Sequence, residues 1–226
     1  MPQCLYSLQC SNMIRYHQGQ PILTAGMPLD EARAALIMIH GRGATAESIL
    51  SLANEFDADD FAYLAPQAAD NTWYPYRFLE PIERNEPWLS SALQVIDDLS
   101  AHVIASSIPA ERIMLLGFSQ GACLTLEYAA RHAQRYGGIV GLSGGLIGPE
   151  GAPRHYAGSF SGTPIFLGCS DVDFHVPLVR VQHSTQVLRQ LGGNVTERIY
   201  PGLDHTVNQD EIDFVNQLLH GVTRNA

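Results

Sequence analysis

Long apolar runs are missing from this sequence: no stretch approaches about 18 consecutive apolar residues, which excludes a membrane-spanning helix. Cysteine is scarce as well. The four that occur, Cys4, Cys10, Cys123 and Cys169, show neither CxxC nor any paired spacing, so a disulfide framework is excluded and free thiols are expected. Positive charge is in short supply: 13 Lys and Arg stand against 23 Asp and Glu, giving a formal net charge of -10. Such a surface repels a nucleic-acid backbone or an anionic membrane, so neutral or weakly charged small molecules are the expected partners. The opening MPQCLYSLQCSNMIRYHQGQ lacks a basic segment followed by an apolar run, so no signal peptide is read and the expected compartment is a reducing cytoplasm. What is present, 226 residues with 46% hydrophobic content, suits one domain over 1–226 around a single core.

Short apolar segments recur along the chain at 34–39, Phe61 to Ala65, Arg112 to Leu116, Gly138 to Leu142, Pro164 to Gly168 and Val195 to Tyr200. Each stops near glycine, proline or a polar cluster, as strands buried on both faces do. Between them the period changes to that of a helix. Leu89, Leu93, Ile96, Leu99 and Val103 form one stripe, with Asn85 placed to cap it and Pro87 tolerated in its first turn. Leu178, Val181, Thr185, Leu188 and Leu191 form another, closed by Gly192-Gly193, and Ile212, Val215, Leu218 and Leu219 a third. Strands alternating with helices predict an α/β fold with a mostly parallel central sheet covered on both faces. The first 33 residues are expected to supply an edge hairpin. Two connections, Pro66 to Glu86 and Gly144 to Gly162, are too long to be simple links.

Chemistry is concentrated in Gly117-Phe118-Ser119-Gln120-Gly121. This GxSxG follows an apolar strand and precedes a run of helix formers, Ala122 to Ala130, which is the setting of a nucleophile elbow. The glycines are needed because a sharp strand-to-helix turn leaves no room for side chains two residues either side of the serine. Serine is a poor nucleophile without a base, and the base needs an acid to fix its tautomer. His205 lies just beyond the last strand, where open α/β sheets assemble their sites, whereas His17, His102, His132, His183 and His220 fall in helices or near the termini. Asp171 and Asp173 both follow the strand that starts at Pro164, and either satisfies the chain order Ser, Asp, His. The other is expected to take a turn or capping role. A zinc site from His40, His175 and His205 has no supporting spacing, and no metal or organic cofactor is expected.

Four separated motifs, Ile39-His40-Gly41-Arg42-Gly43, Gly117 to Gly121, Asp173 three residues before Val176-Pro177, and Gly202-Leu203-Asp204-His205-Thr206-Val207, resemble the phospholipase/carboxylesterase family of α/β-hydrolases. That group includes bacterial carboxylesterases and acyl-protein thioesterases. The resemblance implies the α/β-hydrolase fold, selects Asp173 as the acid, and assigns an oxyanion hole to the backbone amides of Arg42 and Gln120. It also marks departures: Cys169-Ser170 stands where relatives often have His-Gly, Phe174-His175 replaces a proline-containing pair, and Arg42 replaces an apolar residue usual in acyl-protein thioesterases.

Aromatic residues crowd the segment 71–88, and two roles are open to them: packing the loop on its scaffold or walling the pocket. On the second, Trp73, Tyr74, Phe78 and Trp88 line the substrate pocket and shorten it. The expected function is therefore a serine carboxylesterase, monomeric or homodimeric, hydrolysing short-chain or aromatic esters of small molecules through an acyl-enzyme. The alternatives are an acyl-protein thioesterase or lysophospholipase for longer chains and, more remotely, a catalytically silent binding protein of the same fold.

Overall fold

The structure is a computed structural model that describes residues 15–224. Seven strands are present among them: β1 (Ile22–Gly26), β2 (Ala34–Ile39), β3 (Phe61–Pro66), β4 (Ile113–Phe118), β5 (Gly138–Leu142), β6 (Pro164–Ser170) and β7 (Asn194–Tyr200). They form one sheet in the order β1-β3-β2-β4-β5-β6-β7. Only β1 runs antiparallel, pairing Ile22 with Pro66 and Gly26 with Ala62; all other neighbours are parallel. Of the edge hairpin expected from the first 33 residues, the described part supplies the single strand β1, and residues 1–14 lie outside the described residues. Among the described residues β1 has no neighbour on its outer side, and Ile22 and Leu23 are exposed.

Alternation along the strands divides the core in two. In β2, Ala35, Ile37 and Ile39 face one layer and Ala34, Leu36 and Met38 the other; Ile113 and Leu115 oppose Met114 and Leu116 in β4. The first layer is covered by α2 (Trp88–Ala105), α3 (Gln120–Arg131) and α4 (Leu178–Gln190), the second by α1 (Ala46–Leu50) and α5 (Gln209–Arg224). The stripe Leu89, Leu93, Ile96, Leu99, Val103 is buried throughout, because its spacing keeps one face of α2 on the sheet. Gly192, at φ 83, ends α4 in the left-handed conformation that glycine adopts without strain. Asn85 does not cap α2. It is fully buried, accepting from Tyr76 N–H and donating to the Arg77 carbonyl, while the Glu86 carboxylate receives Ser90 N–H in the first turn.

The feature that positions the site is the junction of β4 and α3. Ser119 has φ 55 and ψ -119, a conformation that costs a non-glycine residue about 1–3 kcal/mol and persists only where its surroundings hold it. Its N–H donates to the Leu142 carbonyl at 2.9 Å and its carbonyl accepts from Cys123 N–H at 3.0 Å. A Cβ on Gly117 would collide with the Gly121 carbonyl, and one on Gly121 with the carbonyl of Ile39. The helix therefore lies directly on the end of β2. Gly121→Ala is expected to lower unfolding free energy by about 3 kcal/mol or more, read by urea denaturation, because both colliding atoms belong to the backbone.

Candidate active site

Three loops at the C-terminal ends of β4, β6 and β7 bring together Ser119, Asp173 and His205. The Ser119 hydroxyl donates to His205 Nε2 at 2.8 Å, and His205 Nδ1–H donates to Asp173 Oδ2 at 2.6 Å. The other carboxylate oxygen of Asp173 accepts the N–H groups of His175 and Val176 at 2.8 and 3.0 Å. Burial pushes the Asp173 carboxyl upward, but the bonds from His205 and from those two amides outweigh it and hold the group below its ordinary range. It is an ionised acceptor that fixes the proton of His205 on Nδ1 and leaves Nε2 free to accept. Asp171 stands apart. Its Oδ1 accepts Gly202 N–H at 2.8 Å, tying the loop after β6 to the loop that carries His205.

Arg42 and Gln120 line the same cavity as Ser119. Arg42 follows β2, and Gln120 begins α3; among the described residues neither N–H is engaged by the protein. Gly41 lies close to this site: a Cβ added there would reach van der Waals distance of Ser119 Cβ, at 3.4 Å.

A cavity of about 590 Å³ opens over Ser119 and His205. Its inner wall is apolar and buried: Tyr74, Phe78, Cys123 and Val176. Its outer wall carries Arg42, Tyr76, Arg77, Arg84 and His175. Tyr74 and Phe78 are among the residues that line this cavity. Trp73 and Trp88 do not line the cavity, and both assignments are corrected. Trp73 is fully buried behind the wall, its indole N–H donating to the His40 carbonyl at 2.9 Å, with its ring against His17 and His40. Trp88 opens α2 and stacks on Tyr16 with ring centroids 4.6 Å apart.

The family model described as Phospholipase/Carboxylesterase matches residues 25–222. The chain belongs to the phospholipase/carboxylesterase family. Among its relatives, acyl-protein thioesterase 1 of Gibberella zeae is 27% identical over 216 residues, which cover 82% of this chain and 89% of the relative. A phospholipase/carboxylesterase structure from Dyadobacter fermentans is 45% identical with a TM-score of 0.87, covering 92% of this chain and all of its own. Acyl-protein thioesterase 2 of Zea mays, 20% identical with a TM-score of 0.69 over 90% of this chain and 99% of its own, shares the fold. This protein is accordingly a serine hydrolase of the α/β-hydrolase fold, in a family of ester and thioester hydrolases. Among the described residues no helix is long and apolar enough to cross a membrane.

The hydrolase holds its cavity wall through side chains that spacing does not reveal. Gln120 Oε1 accepts Trp73 N–H at 2.9 Å and its Nε2 donates to the Tyr74 carbonyl at 2.8 Å. Arg42 donates to the carbonyls of Pro75 and Tyr76 at 2.8 and 2.7 Å. Four consecutive residues of the long connection are thus bonded by the side chains of Arg42 and Gln120. Cys123 was findable: one helical turn after Ser119, its side chain shares the serine's side of α3. Burial pushes its thiol up to about 12, so it stays protonated beside the serine. Cys169 is also a buried free thiol, while Cys4 and Cys10 lie outside the described residues. His40 has both ring nitrogens committed, Nδ1–H to the Gly41 carbonyl and Nε2 to Ala68 N–H, so its lone pair is taken.

The loop bearing His205 is fastened at its far end by a reciprocal cap: Asn208 N–H donates to the Glu211 carboxylate at 3.0 Å and Glu211 N–H to Asn208 Oδ1 at 3.1 Å. Glu211 is buried against Gly168 of β6, and that burial raises its pKa from 4.5 to about 7. An acid whose folded pKa exceeds its unfolded value binds more protons in the folded state, so its stability term is present below about pH 4.5 and is lost as pH rises through about 7. The apparent Tm is expected to fall across that window, and Glu211→Gln, which keeps the acceptor without the charge, to flatten the fall; equal slopes for both proteins would contradict this account.

Proposed function

We propose that this single-domain hydrolase is a serine carboxylesterase for short-chain or aromatic esters. The continuous bond from Asp173 through His205 to Ser119, at 2.6 and 2.8 Å, carries the assignment. Ser119 attacks the acyl carbon as His205 Nε2 takes its proton, and the Arg42 and Gln120 amides receive the oxyanion. His205 then protonates the departing alcohol. Water, activated by the same nitrogen, hydrolyses the acyl-enzyme and frees Ser119. Asp173 keeps the imidazole in the accepting tautomer and stabilises the imidazolium. The acyl preference is supported by the inner wall, where Tyr74, Phe78 and Val176 close an apolar recess next to the serine, and by the guanidinium groups on the outer wall, which a long hydrocarbon chain would have to pass.

A second reading, hydrolysis of longer acyl thioesters, is favoured by the relative from Gibberella zeae, which bears the name acyl-protein thioesterase 1, and by the apolar Val172 and Phe174 left exposed beside the site. A p-nitrophenyl ester series separates the two. On the short-chain reading kcat/KM peaks at short acyl groups and drops at about twelve carbons, and Phe78→Ala shifts the peak to longer chains. A peak at palmitoyl esters or thioesters instead establishes the second reading.

The proton relay has its own test. Asp173→Asn should lower kcat by about 10³- to 10⁴-fold, because an amide favours the wrong histidine tautomer. Asp171→Asn should cost less than about tenfold, its carboxylate serving a backbone bond. The reverse ranking would move the acid to Asp171.

A further inference from the structure

The chain contains no lysine, so all 13 of its cationic side chains are arginine, and three of them, Arg42, Arg77 and Arg84, line the one cavity over Ser119. Against these the cavity lining has a single carboxylate, Glu80. Glu80 is already paired with Arg84 at 2.8 Å, and Arg84 is further held over the Tyr76 ring at 4.4 Å. Arg42 spends its donors on the carbonyls of Pro75 and Tyr76. Arg77 differs from both. Its side chain is exposed, and among the described residues its guanidinium has no hydrogen-bond or ion-pair partner. A protein of net charge -10 therefore keeps a locally cationic cleft, with one guanidinium unspent. Overall charge sets the far field, whereas a cleft with low-dielectric walls focuses the field of its own lining. The expectation of uncharged partners, drawn from the whole chain, does not extend to this cavity.

The geometry also says which half of an ester meets that cation. His205 Nε2 returns its proton to the leaving oxygen, so the alcohol lies on the His205 side. The next group of the cavity wall there is His175, whose ring stands edge-on to His205 with centroids 4.8 Å apart. Arg77 belongs to the same exposed outer wall as His175. The opposite, inner recess of Tyr74, Phe78, Cys123 and Val176 is apolar, and the guanidinium groups beside it, Arg42 at 5.9 Å from the Tyr74 ring centroid and Arg180 at 6.0 Å from that of Phe78, are already bonded to backbone carbonyls.

We propose that the cleft takes esters whose alcohol half carries an anion, a carboxylate or a phosphate, which the Arg77 guanidinium receives. The assignment rests on the esterase reading above. Bidentate, planar donors suit either anion, and the pairing steers the substrate and holds its leaving group beside His205. The ester bond cleaved is unchanged, and the anion leaves on the alcohol with the proton from His205.

The test uses the purified full chain with three acetates of matched shape: 4-acetoxybenzoate, its neutral methyl ester, and 4-acetoxyphenyl phosphate. The quantity read is the ratio of kcat/KM for each anionic ester to that for the neutral one, so intrinsic leaving-group reactivity cancels between variants. Arg77→Gln is expected to lower that ratio about fivefold and Arg77→Glu to lower it further, and added salt to lower it in the unmodified protein. A response confined to the carboxylate or to the phosphate supports the proposal and names the anion. A ratio that Arg77 variants leave unchanged overturns it. So does a response seen instead with mono-p-nitrophenyl glutarate against p-nitrophenyl pentanoate, which would put the anion on the acyl half. Failure of the unmodified protein to cleave any of these esters would strike the esterase reading itself, a result distinct from turnover without charge dependence.

Discussion

Everything at this site depends on how closely α3 approaches the end of β2. The approach is possible only because Gly117 and Gly121 have no side chains, and it presses the first turn of α3 against the carbonyls of Ile39 and His40. The turn between forces Ser119 to a positive φ of 55, lifts its hydroxyl out of the sheet, and sets the Gln120 amide at the head of a helix whose aligned peptides favour negative charge. Arg42 lies just beyond the end of the strand that α3 touches. One backbone packing constraint thus places the Ser119 hydroxyl and the start of α3, and the strain at Ser119 is borne by the bonds of its N–H and carbonyl to Leu142 and Cys123.

Around that junction the side chains serve rigidity. Gln120 and Arg42 bind successive backbone groups from Trp73 to Tyr76, Gly43 N–H donates to the Asn71 carbonyl at 2.7 Å, and Trp73 anchors on His40. The long connection between β3 and α2 is therefore a built wall. A wall fixed before substrate arrives needs little reorganisation during reaction, the condition under which oriented amides contribute most to stabilising developing charge. On the other side, the Asp171 carboxylate and the Asn208–Glu211 cap hold the two ends of the loop that carries His205. The short bonds of His205 to Asp173 and Ser119 require both ends to be held.

The elements of the sheet were legible because buried parallel strands read as continuous apolar runs; 34–39 and Gly138 to Leu142 coincide with β2 and β5. The helical stripes were legible for the corresponding reason. Asn85 misled because Asx side chains cap helices and staple loops with the same atoms, and only the chain path distinguishes the two. The short α1, capped by Thr45, has too few residues to show a period. Trp73 and Trp88 misled in turn: an aromatic residue in a long connection can face a pocket or the core behind it, and composition does not distinguish inner from outer wall.

By itself the sequence determined the order of β2 to β7 and of the longer helices, the elbow at Ser119 and the separate positions of a histidine and two acids downstream, because these follow from periodicity and from the steric demand of a glycine-flanked turn. The family resemblance selected Asp173, but only tertiary structure decided that Asp171 reaches a backbone amide instead, that Arg42 and Gln120 hold the 73–76 wall by their side chains, and that the Arg77 guanidinium lines the cavity with no hydrogen-bond or ion-pair partner among the described residues. The physical reason is distance along the chain: these contacts join segments more than 25 residues apart, and their direction depends on packing of loops whose residues carry no period. Charge follows the same division, since the net value is a sum over residues while the field in a cleft belongs to the groups that fold into it.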